Sequence, residues 1–207
     1  MFVLLALPAL GAALAITFAA DHSVRFGLIV LGAFGLGTAI TGAAAAALLP
    51  SGTLRRLGVL RALVAAGAGA LGLSALGWAL PAGHDEAAAA AALGWVIAAG
   101  LGALAIVDAV IWSRTRRRDR SARDWLTIAI IELVGAVAPL LVPANYLLPY
   151  VVHDKETVLP LVLTASIIMV GIVGAVLAIL GVFLVIAGLS QLPARRPASQ
   201  HDVAVNA

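Results

Sequence analysis

Val158–Leu189 reads VLPLVLTASIIMVGIVGAVLAILGVFLVIAGL, more than 30 residues without a charged side chain. About 20 apolar residues in a helix cross a hydrocarbon core of about 30 Å. This stretch alone outruns a perpendicular span, so it predicts a helix that tilts or projects. Pro160 then falls in the first turn, where a missing N–H costs no hydrogen bond.

Outward from it, the chain is built alike. Of 207 residues, 63% are apolar and 11% charged, with a mean hydropathy of +1.10. Soluble domains carry about 45–50% apolar and about 25% charged residues. Here too little polar surface remains to cover a water-soluble core. Further apolar stretches occupy residues 1–20, 24–49, 57–80, 87–112 and 125–149, with 158–189 the sixth. The expected fold class is all-α: a polytopic membrane protein of six transmembrane helices filling residues 1–190. The polar tail, 191–207, is expected to be cytoplasmic and disordered. Thr17-Phe18-Ala19-Ala20-Asp21 also has the small residues of a signal-peptidase site, but the internal repeat described next requires helix one.

The helices fall into three pairs. Phe26–Gly35 aligns with Leu93–Gly102 at an offset of 67, and Ile167–Gly174 aligns with Leu28–Gly35 at an offset of 139. Gly35, Gly102 and Gly174 then coincide, as do Gly32, Ala99 and Gly171. Small residues three apart share a helix face and let a neighbouring backbone approach. The plan is three helical hairpins with short outer loops.

Orientation follows from Lys and Arg. Eleven of the thirteen lie on one side: Arg55, Arg56 and Arg61, then Arg114, Arg116, Arg117, Arg118, Arg120 and Arg123, then Arg195 and Arg196. Arg25 and Lys155 lie opposite. The positive-inside rule then places both termini in the cytoplasm, as expected of a bacterial inner-membrane protein. The basic residues form a membrane-surface belt, not a nucleic-acid groove, and Arg114, Arg116, Arg117 and Arg118 are candidates for holding anionic headgroups.

Three apolar hairpins, glycines inside the spans, Pro81 after helix three, Pro143 and Pro149 late in helix five, and Trp125 opening the third hairpin resemble the HdeD-like membrane proteins. The first hairpin departs from the pattern, because Pro8 falls inside its span. The resemblance implies the architecture and an association with bacterial acid resistance. It transfers no functional residue.

The candidate site residues are few. Asp108 and Glu132 are the acidic residues inside apolar spans, near the cytoplasmic ends of helices four and five. Intramembrane ionisable groups are costly and are functional candidates by default. Such a pair suits proton relay or ion coupling, while pairing with a nearby Arg or snorkelling is the structural alternative. His22, His84 and His153 occupy the three outer loops, each beside acidic residues, and make a candidate outer-face pH sensor. In helix five, Pro139, Pro143 and Asn145 mark a candidate break, since each proline deletes an i→i−4 hydrogen bond. Broken helices line cavities in transporters. Trp78, Trp112 and Trp125 read as interface anchors, and Trp95 as a packing residue.

Cysteine is absent, which excludes disulfides and thiolate chemistry. Gly67-Ala68-Gly69-Ala70-Leu71-Gly72 has dinucleotide-loop spacing but lies inside a membrane helix, with no strand before it. No catalytic, metal or cofactor site is expected, and no enzymatic activity. The expected function is that of a non-enzymatic, HdeD-like membrane protein linked to acid or envelope stress. The alternatives are a small transporter or channel using Glu132 and Asp108, or an accessory subunit of a membrane complex. Expected partners are the lipid bilayer and a second copy or complex partner on glycine-rich helix faces.

Overall fold

The computed structural model describes residues 2–80, 85–117, 122–154 and 157–191. Six α-helices account for most of them: α1 (Phe2–Phe18), α2 (Val24–Ala47), α3 (Thr53–Trp78), α4 (Glu86–Thr115), α5 (Ala122–Val137) and α6 (Ala165–Ser190). Five helical segments are long and apolar enough to cross a membrane, the fifth being Ala122–Leu141, which continues α5 into a short 3₁₀ turn; α1 is apolar but shorter. This is the make-up of a helical membrane protein.

Two helix starts follow from local capping chemistry. The Ser23 hydroxyl accepts the Phe26 N–H at 3.2 Å, and Asp21 in turn accepts the Ser23 N–H at 2.8 Å. Asp85 caps α4 by accepting the Ala87 N–H at 3.3 Å. Each bond satisfies an N–H that a helix start leaves without a partner.

The helices close a ring in chain order, with α6 packed along α1. The even-numbered helices also touch one another, and each odd-numbered helix fills the gap between two of them. Along the axis, Leu31, Ile97, Val170 and Val173 surround a void of about 10 Å³. That space is too small and too apolar to hold water.

Glycines set the closest approaches. A Cβ on Gly35 would strike the Gly69 backbone, and one on Gly72 would lie 3.0 Å from the Gly32 nitrogen, so α2 and α3 meet backbone to backbone. On α6, Gly174, Gly181 and Gly188 recur every seven residues and receive Ile16, Leu10 and Val3 of α1, a heptad seam. Of the aligned glycines, Gly35 faces α3, Gly102 faces Ala136 of α5 and Gly174 faces α1. The second column is uneven: Gly32 meets Leu73 and Gly69, whereas Gly171 has nothing within 4 Å.

The largest correction concerns residues 138–164. The fifth helix does not run to residue 149, nor does the sixth begin at 158. After Val137 the chain tightens into a 3₁₀ turn, Ala138–Leu141, with Pro139 in its first turn. A further turn follows, in which the Tyr146 N–H donates to the Pro143 carbonyl at 2.9 Å. Next come two strands, β1 (Leu147–Asp154) and β2 (Thr157–Thr164), paired antiparallel from Leu147–Thr164 out to Asp154–Thr157. Val, Thr and Tyr favour strands, but a uniformly apolar run carries no period by which to distinguish strand from helix.

Pro149 and Pro160 sit within this ribbon at one kind of position. The Ala165 N–H donates to the Tyr146 carbonyl at 3.1 Å, so the pair preceding Leu147–Thr164 is hydrogen-bonded. Bonded and non-bonded pairs alternate, which makes Pro149–Val162 and Val151–Pro160 non-bonded. Each proline therefore turns its nitrogen to an open edge, where it blunts strand addition. The ribbon exposes apolar side chains on both faces, including Leu148 and Tyr150 on one and Leu147, Val151 and Val162 on the other. Replacing both prolines with Thr should open the edges to pairing. The expected outcome is larger species on size-exclusion chromatography in detergent, at concentrations where the native chain runs smaller. An unchanged profile would remove the edge-guarding role.

Candidate functional site: a buried ion cluster

Arg61, Asp108 and Glu132 meet between α3, α4 and α5. Helical rise brings them to one level. Arg61 is eight residues into α3, Asp108 seven before the end of α4 and Glu132 ten into α5. At 1.5 Å per residue these depths are about 12, 10 and 15 Å from the basic end of the bundle. Each residue also lies on its helix's buried stripe. Asp108 follows Leu101, Leu104 and Ala105, while Glu132 follows Trp125, Ile128 and Ala129, at seven-residue returns.

The contacts are uneven. Arg61 Nε donates to Asp108 Oδ1 at 2.7 Å and Oδ2 at 3.0 Å, and Nη2 donates to Glu132 Oε1 at 3.1 Å. The guanidinium carbon lies 5.9 Å from the centre of the Trp125 ring, within cation–π range. Phe2 packs on Trp125 with ring centroids 5.1 Å apart. Asp108 and Glu132 are 0% exposed and Arg61 3%. Arg61 Nη1 and Glu132 Oε2 are buried without hydrogen-bond partners.

Three sequence expectations change here. Arg61, assigned to the basic belt, is buried in the bundle. The signal lay in its register with Ala65, Gly69 and Gly72, which share its buried face. Trp125 is not an interface anchor but a 4% exposed floor for Arg61, and Trp95 is not packed but 67% exposed. Trp78 is exposed, and Trp112 carries the Arg116 guanidinium 5.6 Å above its ring.

The other candidates are dispersed. Arg114, Arg116 and Arg117 are exposed at the basic end; Arg118 and His84 lie outside the described residues. His22 Nε2 is 3.1 Å from the Ile16 carbonyl at the end of α1. It lines a crevice of about 570 Å³ at the opposite end, with Asp21, Arg25, Glu86 and Ser166. Asn145 lines a neighbouring crevice of about 260 Å³ with Asp85 and Tyr146. His153 falls six pairs out along the ribbon, opposite Val158, about 20 Å from its base. The structure thus brings Asp108 and Glu132 onto one guanidinium, while His22 and His153 lie on separate elements. Among the described residues, no three His, Asp or Glu side chains group as a metal site.

The fold and this cluster define a helical bundle of membrane-spanning type that encloses a three-residue ion network. In comparison with known proteins, the chain matches no family model, no curated protein and no solved structure.

Proposed function

We propose that the chain is a non-enzymatic integral protein of the bacterial inner membrane, of HdeD-like type, with both termini cytoplasmic at the basic end. It acts by packing and interaction within the bilayer, in the response to acid or envelope stress. The observation that carries a non-conducting role is the filled axis. Leu31, Ile97, Val170 and Val173, with Ile16 of α1, close around a void of about 10 Å³. Arg61, Asp108 and Glu132 engage one another between α3, α4 and α5. The three-hairpin repeat belongs to this reading, supported by the matched placement of Gly35, Gly102 and Gly174 against successive odd-numbered helices.

The rival is a small transporter, favoured by the crevice at Asn145, where the fifth helix ends. Proteoliposome flux separates the two. The expected result is no flux above empty liposomes across monovalent ions and pH gradients, for the native chain and Glu132→Gln alike. Flux that Glu132→Gln abolishes would establish the transporter instead. The stress role is checked by acid survival of bacteria expressing the chain. Survival no better than with an empty vector would remove it. Replacing His22, His84 and His153 together with Gln tests the outer histidines, which contribute nothing if the survival gain is unaltered.

A further inference from the structure

The ion cluster contains one positive group and two negative ones, and they are not equivalent. Asp108 receives the Arg61 Nε–H on both oxygens, at 2.7 and 3.0 Å, whereas Glu132 receives one Nη2 contact at 3.1 Å. Arg61 and Asp108 form a complete ion pair, leaving Glu132 as the surplus acid. Its Oε2 is buried with no donor, and the Asp108 carboxyl is held by the same guanidinium. Two carboxylates on one guanidinium leave one negative charge over, and a proton on the less engaged acid cancels it.

Among the described residues, no other charge is placed to compensate. α6, which packs on α5, contains no ionisable side chain over Ala165–Ser190, and neither does α1 over Phe2–Phe18. The one charged residue of α2 is Arg25 at the opposite end, exposed to the crevice. Arg61 and Asp108 are the charged groups that face Glu132 from α3 and α4. A net negative charge sealed at this depth carries a large desolvation cost. One bound proton removes it.

We propose that Glu132 is a proton-binding site, holding one proton on its unpartnered carboxyl, so that the Arg61–Asp108–Glu132 cluster is neutral inside the bundle. The ligand is the proton itself, taken up as Glu132 is enclosed between α4 and α5. Its release exposes an uncompensated carboxylate and favours separation of α5 from its neighbours. Proton occupancy and closure of this helix triplet are therefore one equilibrium. The inference is independent of the stress-related reading above.

The test is infrared spectroscopy of the full chain in proteoliposomes at neutral pH, where exposed carboxyls are ionised. A protonated carboxyl has a C=O stretching band that carboxylates lack. The native chain is expected to show one such band, shifted by deuterium only slowly because the site is sealed. Glu132→Gln should lose it while keeping native helix content, since the amide is a neutral donor of similar shape. Asp108→Asn should lose it too, because Arg61 then has Glu132 as its sole partner. No protonated-carboxyl band in the native chain would overturn the proposal, whatever the folding of the variants. A band that survives in Glu132→Gln would overturn its assignment to this residue.

Discussion

Arg61→Ala is expected to destabilise the bundle by about 3–5 kcal/mol, the range for removing one partner of a buried ion pair. The guanidinium makes every charge-paired contact in the cluster. Without it, Asp108 and Glu132 face each other in a site with 0% exposure. The Trp125 ring also loses the cation above it, and Phe2 loses the firm backing of that ring. Equilibrium unfolding in mixed micelles, followed by Trp fluorescence, measures the loss. The cost should come from the unpaired acids and not from the missing side-chain volume. Arg61→Met combined with Asp108→Leu and Glu132→Leu should therefore recover most of the stability, because apolar replacement of a whole buried network is often neutral or better. A triple variant as unstable as Arg61→Ala would show that volume and packing dominate.

The second large effect is expected on α3, two residues apart. A methyl group at Gly69 would lie 2.7 Å from the Leu36 nitrogen and 2.9 Å from the Gly32 carbonyl oxygen. Those are backbone atoms, so no rotamer change relieves the overlap and the helices must separate. Overpacking of this kind costs about 1–3 kcal/mol, and loosening along the α2–α3 seam adds to it. At Gly67 the same methyl meets nothing within 4 Å. There the gain in helix propensity, about 0.5–1 kcal/mol, is unopposed. Gly69→Ala should thus lower the unfolding midpoint and Gly67→Ala leave it equal or raise it. Equal responses would mean that α2 and α3 do not meet at Gly69.

How much of this was legible beforehand depends on what kind of signal each feature leaves. Helices α2, α3 and α4 lie close to the expected stretches, because a span is announced by hydropathy and ended by Pro50 or by the acidic pair Asp85-Glu86. The ribbon was illegible for the same reason that the helices were clear. Residues 147–152 and 158–163 are apolar on either side of the polar His153–Glu156, and apolarity alone has no period. Prolines at 139 and 143 marked where α5 stops, but nothing in them specified a strand as its successor.

The cluster was half legible. Asp108 and Glu132 stood out as isolated acids in apolar surroundings. Arg61 was concealed by Arg55 and Arg56, which made it look like the last member of a surface group. Counting back from Gly69 in steps of four, through Ala65, would have placed it on the buried face. The Asp21 and Asp85 carboxylates have a structural part that the sequence reading did not assign. Beside His22 and His84 they looked like parts of a titrating pair, yet each accepts a bond at a helix start. That is the role short polar side chains fill most often.

The contact of α6 with α1 has a topological meaning. Gly188 receives Val3 in the same way that Gly181 receives Leu10, so this seam runs to the helix ends without a covalent link. It packs glycines against side chains, where the α2–α3 seam, whose helices are joined by a short connection, packs backbone against backbone. The α6–α1 contact is among the most extensive in the ring, although no loop joins the two helices. As a cyclic object the ring closes between α6 and α1 by packing alone.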